Sequence, residues 1–266
     1  MNNDITMLIL SCEKFSDLWD AHVSLLEKNW PDRNMDTYII TDHSTVKNYK
    51  NIKIIVGEDL EWSDRLAFAL KNVKTKYVFI TLDDYFLIKK VNDSSINNLV
   101  SMMNQEELDY VRLFPNPKKA TEESFKEYSG IYKINTKINY SVNLYAGIWS
   151  KEFIEYTIKD SKNAWQFEAS LYKRALEYKA NCVVSSNKEF EILDVVRKGK
   201  LLHKSAAYFK RHPEIYTGTR PVNSRSYEIK LWIQTVASRY FPNTVKKTTK
   251  SLMRALGMHF FSDELE

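Results

Sequence analysis

Cysteine, glycine and proline are scarce in this sequence. Only Cys12 and Cys182 occur among 266 residues. They form neither a C-x-x-C pair nor a Cys/His spacing, which excludes a disulfide framework and a structural zinc site. Such cysteine usage fits a reducing cytoplasm. Six glycines and six prolines leave no material for long flexible or Pro-rich linkers. No run of 18 apolar residues is present to span a bilayer. The opening MNNDITMLIL has neither the basic start nor the long apolar stretch of a signal peptide. The expectation is a cytoplasmic protein that does not cross a membrane. Internal repeats and low-complexity tracts are absent. With 44% hydrophobic and 27% charged residues, disordered and fibrous chains are excluded as well.

What is present is an uneven charge. The formal net charge of +5 divides at about Val196: the first part carries 25 basic and 29 acidic residues, the remainder 14 and 5. A mildly acidic body is therefore followed by a basic region. Aromatic residues make up 13% of the chain, enough for a well-filled core.

Apolar runs alternate with amphipathic segments in the first half. Thr6 to Ser11, Asp36 to Thr41, Ile52 to Val56 and Tyr77 to Leu82 read as strands, with helices over Phe15 to Asn29 and Asp64 to Val73. Near-continuous apolar strands separated by helices predict an α/β fold, a mostly parallel sheet covered on both faces. Further on, helices are predicted over Asp93 to Asn104, Ser150 to Asp160 and Trp165 to Lys179. Strands are predicted over Tyr110 to Phe114, Gly130 to Ile138, Tyr140 to Ile148 and Asn181 to Ser185.

The most informative stretch is FITLDDYFL, Phe79 to Leu87, an apolar strand that stops at two adjacent carboxylates. Asp83 and Asp84 would lie where open α/β sheets bind ligands, and they repel each other unless a cation or ligand offsets them. A Mg²⁺ or Mn²⁺ carrying a diphosphate would do so, because hard cations take carboxylate and phosphate oxygens. The dipeptide alone reads equally as an acidic turn. Asp42 ends the second strand and Arg65 opens the helix after the third. Strand ends on one edge converge, so these residues and the Asp83/Asp84 pair are expected in one crevice, with Arg65 able to fork onto a phosphate.

With these residues the chain resembles the nucleotide-sugar-dependent glycosyltransferases of the GT-A fold, in their bacterial surface-polysaccharide form. The resemblance runs from about Thr6 to Tyr208. It implies that Ser11 and its loop, with Asp42, hold the nucleotide, that Arg65 approaches the ribose or diphosphate, and that Asp83 faces the ribose while Asp84 binds the metal. The sequence departs from a strict D-x-D, since Tyr85 stands two residues after Asp83. The resemblance also implies that Ala146 and Gly147 line the donor sugar and acceptor, that Trp165 is an acceptor platform or core residue, and that Glu168 deprotonates the acceptor hydroxyl. His203 is implied as a further metal ligand and Lys204 as a partner of the leaving diphosphate.

Residues 1–223 are expected to form the catalytic domain and 224–266 a basic helical extension. There Ile229, Trp232, Ile233, Val236, Tyr240 and Phe241 mark one apolar stripe, and Val245, Leu252, Met253 and Leu256 start another beside Lys246, Lys247, Lys250 and Arg254. A basic amphipathic helix suits an anionic membrane surface, here the inner face of the cytoplasmic membrane. It equally suits packing on the body or a homo-oligomer interface. No nucleic-acid-binding motif is present. The expected activity is transfer of a sugar, from a UDP-sugar in the first instance, to a glycan or lipid-linked acceptor. The alternative is an accessory protein that binds nucleotide sugar or glycan without turnover. A nucleotidyltransferase is disfavoured because SCEKFSDLW, after the first strand, lacks a glycine-bearing phosphate loop.

Overall fold

The computed structural model describes residues 4–158 and 163–240. The chain divides into two units, Met1–Val222 and Asn223–Glu266.

In the first unit β1 (Ile5–Leu10), α1 (Trp19–Asn29), β2 (Thr37–Thr41), β3 (Lys53–Val56), α2 (Trp62–Lys71) and β4 (Tyr77–Leu82) alternate as the apolar runs predict. There follow β5 (Tyr85–Leu87), α3 (Asp93–Gln105), β6 (Tyr110–Arg112), β7 (Thr121–Ser124), β8 (Ile131–Ile134), β9 (Gly147–Ser150) and α4 (Lys151–Thr157). The unit continues with α5 (Ala164–Tyr178), β10 (Cys182–Ser185), β11 (Ile192–Asp194), β12 (Val196–Arg197), β13 (Lys200–Leu201) and α6 (His203–Arg211). A nine-stranded sheet has the order β3-β2-β1-β4-β9-β6-β10-β8-β7. Only β8 and β9 run against the others, so the sheet is mostly parallel.

All six residues of β1 are buried, because its two faces carry separate cores. Met7 and Ile9 point toward α1 and α3, in a cluster with Trp19, Leu26, Ile96 and Met103. Leu8 and Leu10 point the other way, toward Leu66, Phe153, Phe167 and Leu171 of α2, α4 and α5. A third cluster joins Phe86 of β5 to Leu193, Val195, Leu201, Phe209 and Ile215. It fastens the segment after β10 onto the short strand that follows the Asp83/Asp84 pair.

Tyr140 to Ile148 differs from its expected strand: only Gly147 and Ile148 enter β9, and residues 140–146 form a loop. Their backbone groups are taken by side chains instead of a ladder. Asn143 donates to Tyr140 O at 3.0 Å and accepts from Tyr145 N at 3.1 Å, and Arg112 donates to Ser141 O at 2.6 Å. Alternating apolar residues give a strand only when a neighbouring strand receives their backbone.

In the second unit α7 covers Arg225–Tyr240. Ile229, Trp232 and Ile233 on it are exposed. The side chains of the expected stripe beyond Ile233, and the second stripe from Val245, lie outside the described residues. No helix among the described residues is long and apolar enough to cross a membrane.

Candidate functional site

Parallel pairing brings the carboxyl ends of β1, β2 and β4 to one edge, and the ladder continues past each strand. Ser11 N donates to Ile40 O at 2.9 Å, Asp83 N to Leu10 O at 3.2 Å, and Gly57 N to Thr41 O at 2.9 Å. This places Ser11, Asp42 and Asp83 side by side. Ser11 Oγ donates a short hydrogen bond to Asp83 Oδ2 and accepts from Trp19 Nε1 at 2.7 Å. Asp42 Oδ1 receives Glu13 N at 2.7 Å, while its Oδ2 lies 3.9 Å from Arg65 Nη1. Leu10, Ser11, Ile40, Trp62, Arg65 and Leu66 line a small cleft. Gly57 makes room for Arg65, since a methyl there would come within 2.8 Å of Arg65 Cγ.

Electrostatics separate the roles of these groups. Burial pushes the Asp83 carboxyl up to about 7, against the lowering effect of the Ser11 hydroxyl. Asp42 lies below its ordinary value: burial raises it, but the Glu13 N–H and Arg65 outweigh that. Burial, followed by Asp83 and Asp42, pushes the Cys12 thiol up to about 11, so it is no thiolate nucleophile near neutrality. His22 of α1, which is buried, lies 3.2 Å through Nδ1 from Asp83 O. A carbonyl oxygen only accepts, so Nδ1 carries the proton.

A second group of charges gathers around the β5–β11 pair. Val195 N donates to Asp84 O at 2.9 Å, and Asp194 stands opposite Tyr85. Arg197 Nη2 lies 2.6 Å from Asp194 Oδ2. Tyr145 stacks between Tyr85 and Phe114, with ring centroids 5.5 and 4.5 Å away. Glu168 Oε1 accepts from Leu144 N at 3.1 Å, so the 140–146 loop and α5 position the carboxylate together. Burial raises the Asp84 carboxyl well above its ordinary value, Asp83 and Asp194 raise it further, and Arg197 opposes them. Burial also raises Glu168, while the Leu144 N–H and Arg197 favour its ionised form. Burial works against the charge of Arg197, but Asp194, Tyr85, Tyr145 and Asp84 keep it protonated.

The structure thus joins Ser11 to Asp83, Arg65 to Asp42 and Arg197 to Asp194, and the Arg197 charge favours the ionised forms of Asp84 and Glu168. Ala146 is 2% exposed, and the missing side chain of Gly147 is taken up by the Tyr110 ring and Val111 O. From that turn it is Tyr145 that reaches the aromatic stack. Trp165 is exposed on the first turn of α5. His203 and Lys204 open α6, which is fastened by Ser205 Oγ donating to Val195 O at 2.8 Å. Among the described residues, no group of three or more His, Cys, Asp and Glu side chains could hold a metal ion.

Sequence reasoning missed Asp194, Arg197, Tyr145 and His22. The visible signal for Arg197 was R-K-G-K, a turn between two short extended pieces.

No protein-family model and no curated protein matches this sequence. Solved structures do match. The mannosyltransferase PcManGT from Pyrobaculum calidifontis, in complex with GDP-Man and Mn²⁺, is 12% identical with a TM-score of 0.53, over 98% of this chain and 77% of that one. The fold is GT-A-like, as in that mannosyltransferase. S. aureus TarS 1-349 in complex with UDP-GlcNAc matches at 14% identity and a TM-score of 0.49, over 91% of this chain and 69% of that one. TarS 1-349 without a named ligand matches at 12% identity and a TM-score of 0.46, over 70% of this chain and 59% of that one, so the match spans less than two thirds of it.

The GT-A fold implies a divalent cation, and the donor chemistry here fits one. Asp84 Oδ1 and Asp194 Oδ1 are buried with no hydrogen-bond partner. Mg²⁺ and Mn²⁺ sites of this class use one or two carboxylates and draw their remaining ligands from phosphates and water.

Proposed function

We propose that this chain is a glycosyltransferase. It moves a sugar from a nucleotide diphosphate sugar, a UDP-sugar in the first instance, to a glycan or lipid-linked acceptor in cell-surface polysaccharide synthesis. The observation that carries this reading is the pair of buried acids closing β4, with Ser11 beside one and the Asp194–Arg197 pair on the strand segment bonded to the other. The PcManGT fold, which in that protein holds GDP-Man and Mn²⁺, supports it.

In this reading Asp42 contacts the base, Arg65 the ribose or diphosphate, and Ser11 and Asp83 the ribose. The Ala146–Gly147 turn, through its backbone and the Tyr145 ring beside it, borders the donor sugar and acceptor together with Trp165, and Lys204 meets the leaving diphosphate. Mn²⁺ or Mg²⁺, held by the unpartnered carboxylate oxygens of Asp84 and Asp194 in place of the expected His203, would supply positive charge at the diphosphate. Glu168 takes the proton from the acceptor hydroxyl as that oxygen bonds to the anomeric carbon. The bond from this carbon to the diphosphate breaks on the opposite face. A carboxylate whose pKa is raised by burial is a stronger base, and the Leu144 N–H keeps it aimed.

The test is transfer from a panel of UDP- and GDP-sugars with Mn²⁺, using Asp84→Ala and Glu168→Gln variants that remain folded. Loss of the general base costs about 10²- to 10⁴-fold, and a comparable loss is expected for Asp84→Ala. Full activity in both variants would sink the assignment. Donor binding without turnover by the unaltered chain would establish the accessory, non-catalytic reading instead.

Residues 1–223 are the catalytic domain in this proposal, and 224–266 an extension that docks on an anionic membrane at the cytoplasmic inner face. The exposed Ile229, Trp232 and Ile233 beside Arg225 and Lys230 support the docking role. Ile229→Glu with Trp232→Glu is expected to abolish sedimentation with anionic vesicles, and raised salt to weaken it. Unchanged vesicle binding would refute this role, and a concentration-dependent mass lost in the same variant would assign the stripe to a homo-oligomer interface.

A further inference from the structure

The segment after β11 is a small basic hairpin whose position in the site follows from its backbone. Val196–Arg197 pairs with Lys200–Leu201, and the two residues between them, Lys198 and Gly199, have φ of 51° and 75°. Two consecutive left-handed residues make the tight turn whose twist matches a two-stranded ribbon. A methyl at Gly199 would meet nothing within 4 Å, so glycine serves the turn conformation there and not packing.

The hairpin is tied down at both ends. Leu202 N donates to Val195 O at 3.0 Å and Leu201 N to Pro221 O at 2.9 Å. Arg220 Nη1 reaches Gly199 O at 3.2 Å. The same guanidinium donates to both carboxylate oxygens of Asp17 at 2.6 and 2.7 Å and to Lys14 O at 2.7 Å. It also lies 4.6 Å from the Phe15 ring centre. The turn is therefore fastened to the loop after β1, the same loop that sets Ser11 against Asp83 and Glu13 N against Asp42.

Arg197 projects from this fixed hairpin into the acids. It pairs with Asp194 and acts electrostatically on Tyr145, Asp84 and Glu168. Its side chain is 30% exposed, so it is held in place and still open to a ligand. Asp83, Asp84, Asp194 and Glu168 repel a diphosphate brought among them to the extent that each is ionised, and ligand charge there calls for a fixed cation beside any divalent ion. Arg65 serves Asp42 and Arg220 acts on Asp83. Arg197 is paired with Asp194 and acts electrostatically on Asp84 and Glu168. A guanidinium fork matches two phosphate oxygens at once, which an ammonium does not.

We propose that Arg197 binds the diphosphate of the donor, giving this chain a fixed foothold for nucleoside diphosphates beside any metal ion. The proposal rests on the nucleotide-sugar reading, and its test separates the two.

The measurement is calorimetric binding of UDP, GDP and inorganic pyrophosphate to the full chain, once in excess Mn²⁺ and once in excess EDTA. Wild type is expected to bind in both. Arg197→Met should weaken binding by about tenfold or more in EDTA, with Arg197→Lys in between. Asp194→Asn, which removes a competing carboxylate from the guanidinium, should tighten pyrophosphate binding; a merely structural Asp194–Arg197 pair would make it weaker. If Arg197→Met does not fold, Arg197→Lys and Asp194→Asn decide. Wild-type binding only with Mn²⁺, equal affinities of Arg197→Met and wild type in EDTA, or weaker pyrophosphate binding by Asp194→Asn in EDTA would each overturn the role of Arg197. No binding of either nucleotide in Mn²⁺ would overturn the nucleotide-sugar reading itself.

Discussion

Acidification should destabilise this protein through His22, beside several carboxylates. The ring is buried on α1, donates from Nδ1 to Asp83 O, and sits edge-on to Phe86 with centroids 5.7 Å apart at 89°. Burial lowers its pKa from 6.5 to about 4; the Asp83 carbonyl opposes the shift and Arg33 adds to it. The unfolded chain therefore takes up a proton that the folded chain refuses. The stability tied to the neutral ring is fully present above about pH 6.5 and is lost as pH falls through about 4. The gap corresponds to about 3 kcal/mol, a large share of the 5–15 kcal/mol, roughly, that a domain has in total. Asp17, Asp20 and Asp42, each held below its ordinary value by hydrogen bonds that outweigh burial, also lose stability in acid. Asp83, raised by burial, shifts stability the other way. The informative quantity is thus the difference between wild type and His22→Asn, whose amide keeps a donor for Asp83 O. Urea unfolding followed by tryptophan fluorescence at steps from pH 7 to pH 4 measures it. His22→Asn is expected to start less stable and to show a pH dependence flatter by about 3 kcal/mol. Parallel curves for the two proteins would refute the reasoning.

Two further outcomes follow from the packing around the site. Gly57→Ala puts a methyl within 2.8 Å of Arg65 Cγ. The guanidinium should move off Asp42, and UDP affinity should fall several-fold at a melting temperature close to wild type; unchanged affinity would mean that Arg65 does not touch the nucleotide. Arg112 is completely buried, and its Nε and Nη2 have no hydrogen-bond partner. Arg112→Met should therefore cost little stability, within about 2 kcal/mol of wild type. It releases Ser141 O from the 140–146 loop, so the turnover number should fall while donor affinity holds; unchanged turnover would show that the loop does not position Glu168.

Much of the sheet was legible because buried parallel strands are apolar on both faces. Ile5–Leu10 and Tyr77–Leu82 announce themselves as unbroken runs, and a run that stops at Asp42 or at Asp83 marks the sheet edge where ligands bind. The missed parts share a different cause. β5 and β11 are three residues each and pair across about a hundred positions of sequence, too short to show a period and too far apart to show a turn. Residues 140–146 misled in the opposite direction: their alternation is that of a strand, yet Asn143, Arg112 and Glu168 take their backbone groups.

By itself, then, the sequence determined an α/β sheet, the edge on which its acids fall, and a basic final quarter, since each of these depends on residue type and local spacing. Tertiary structure alone decided which charges meet. Arg197 meets Asp194, and its charge acts on Asp84 and Glu168, because a hairpin tied to Arg220 holds it there, and Glu168 is aimed because Leu144 turns a backbone N–H toward it. Such contacts arise from chain segments packed from distant positions, and the energy of bringing charges together in a buried site is set by those distances and not by their order in the chain.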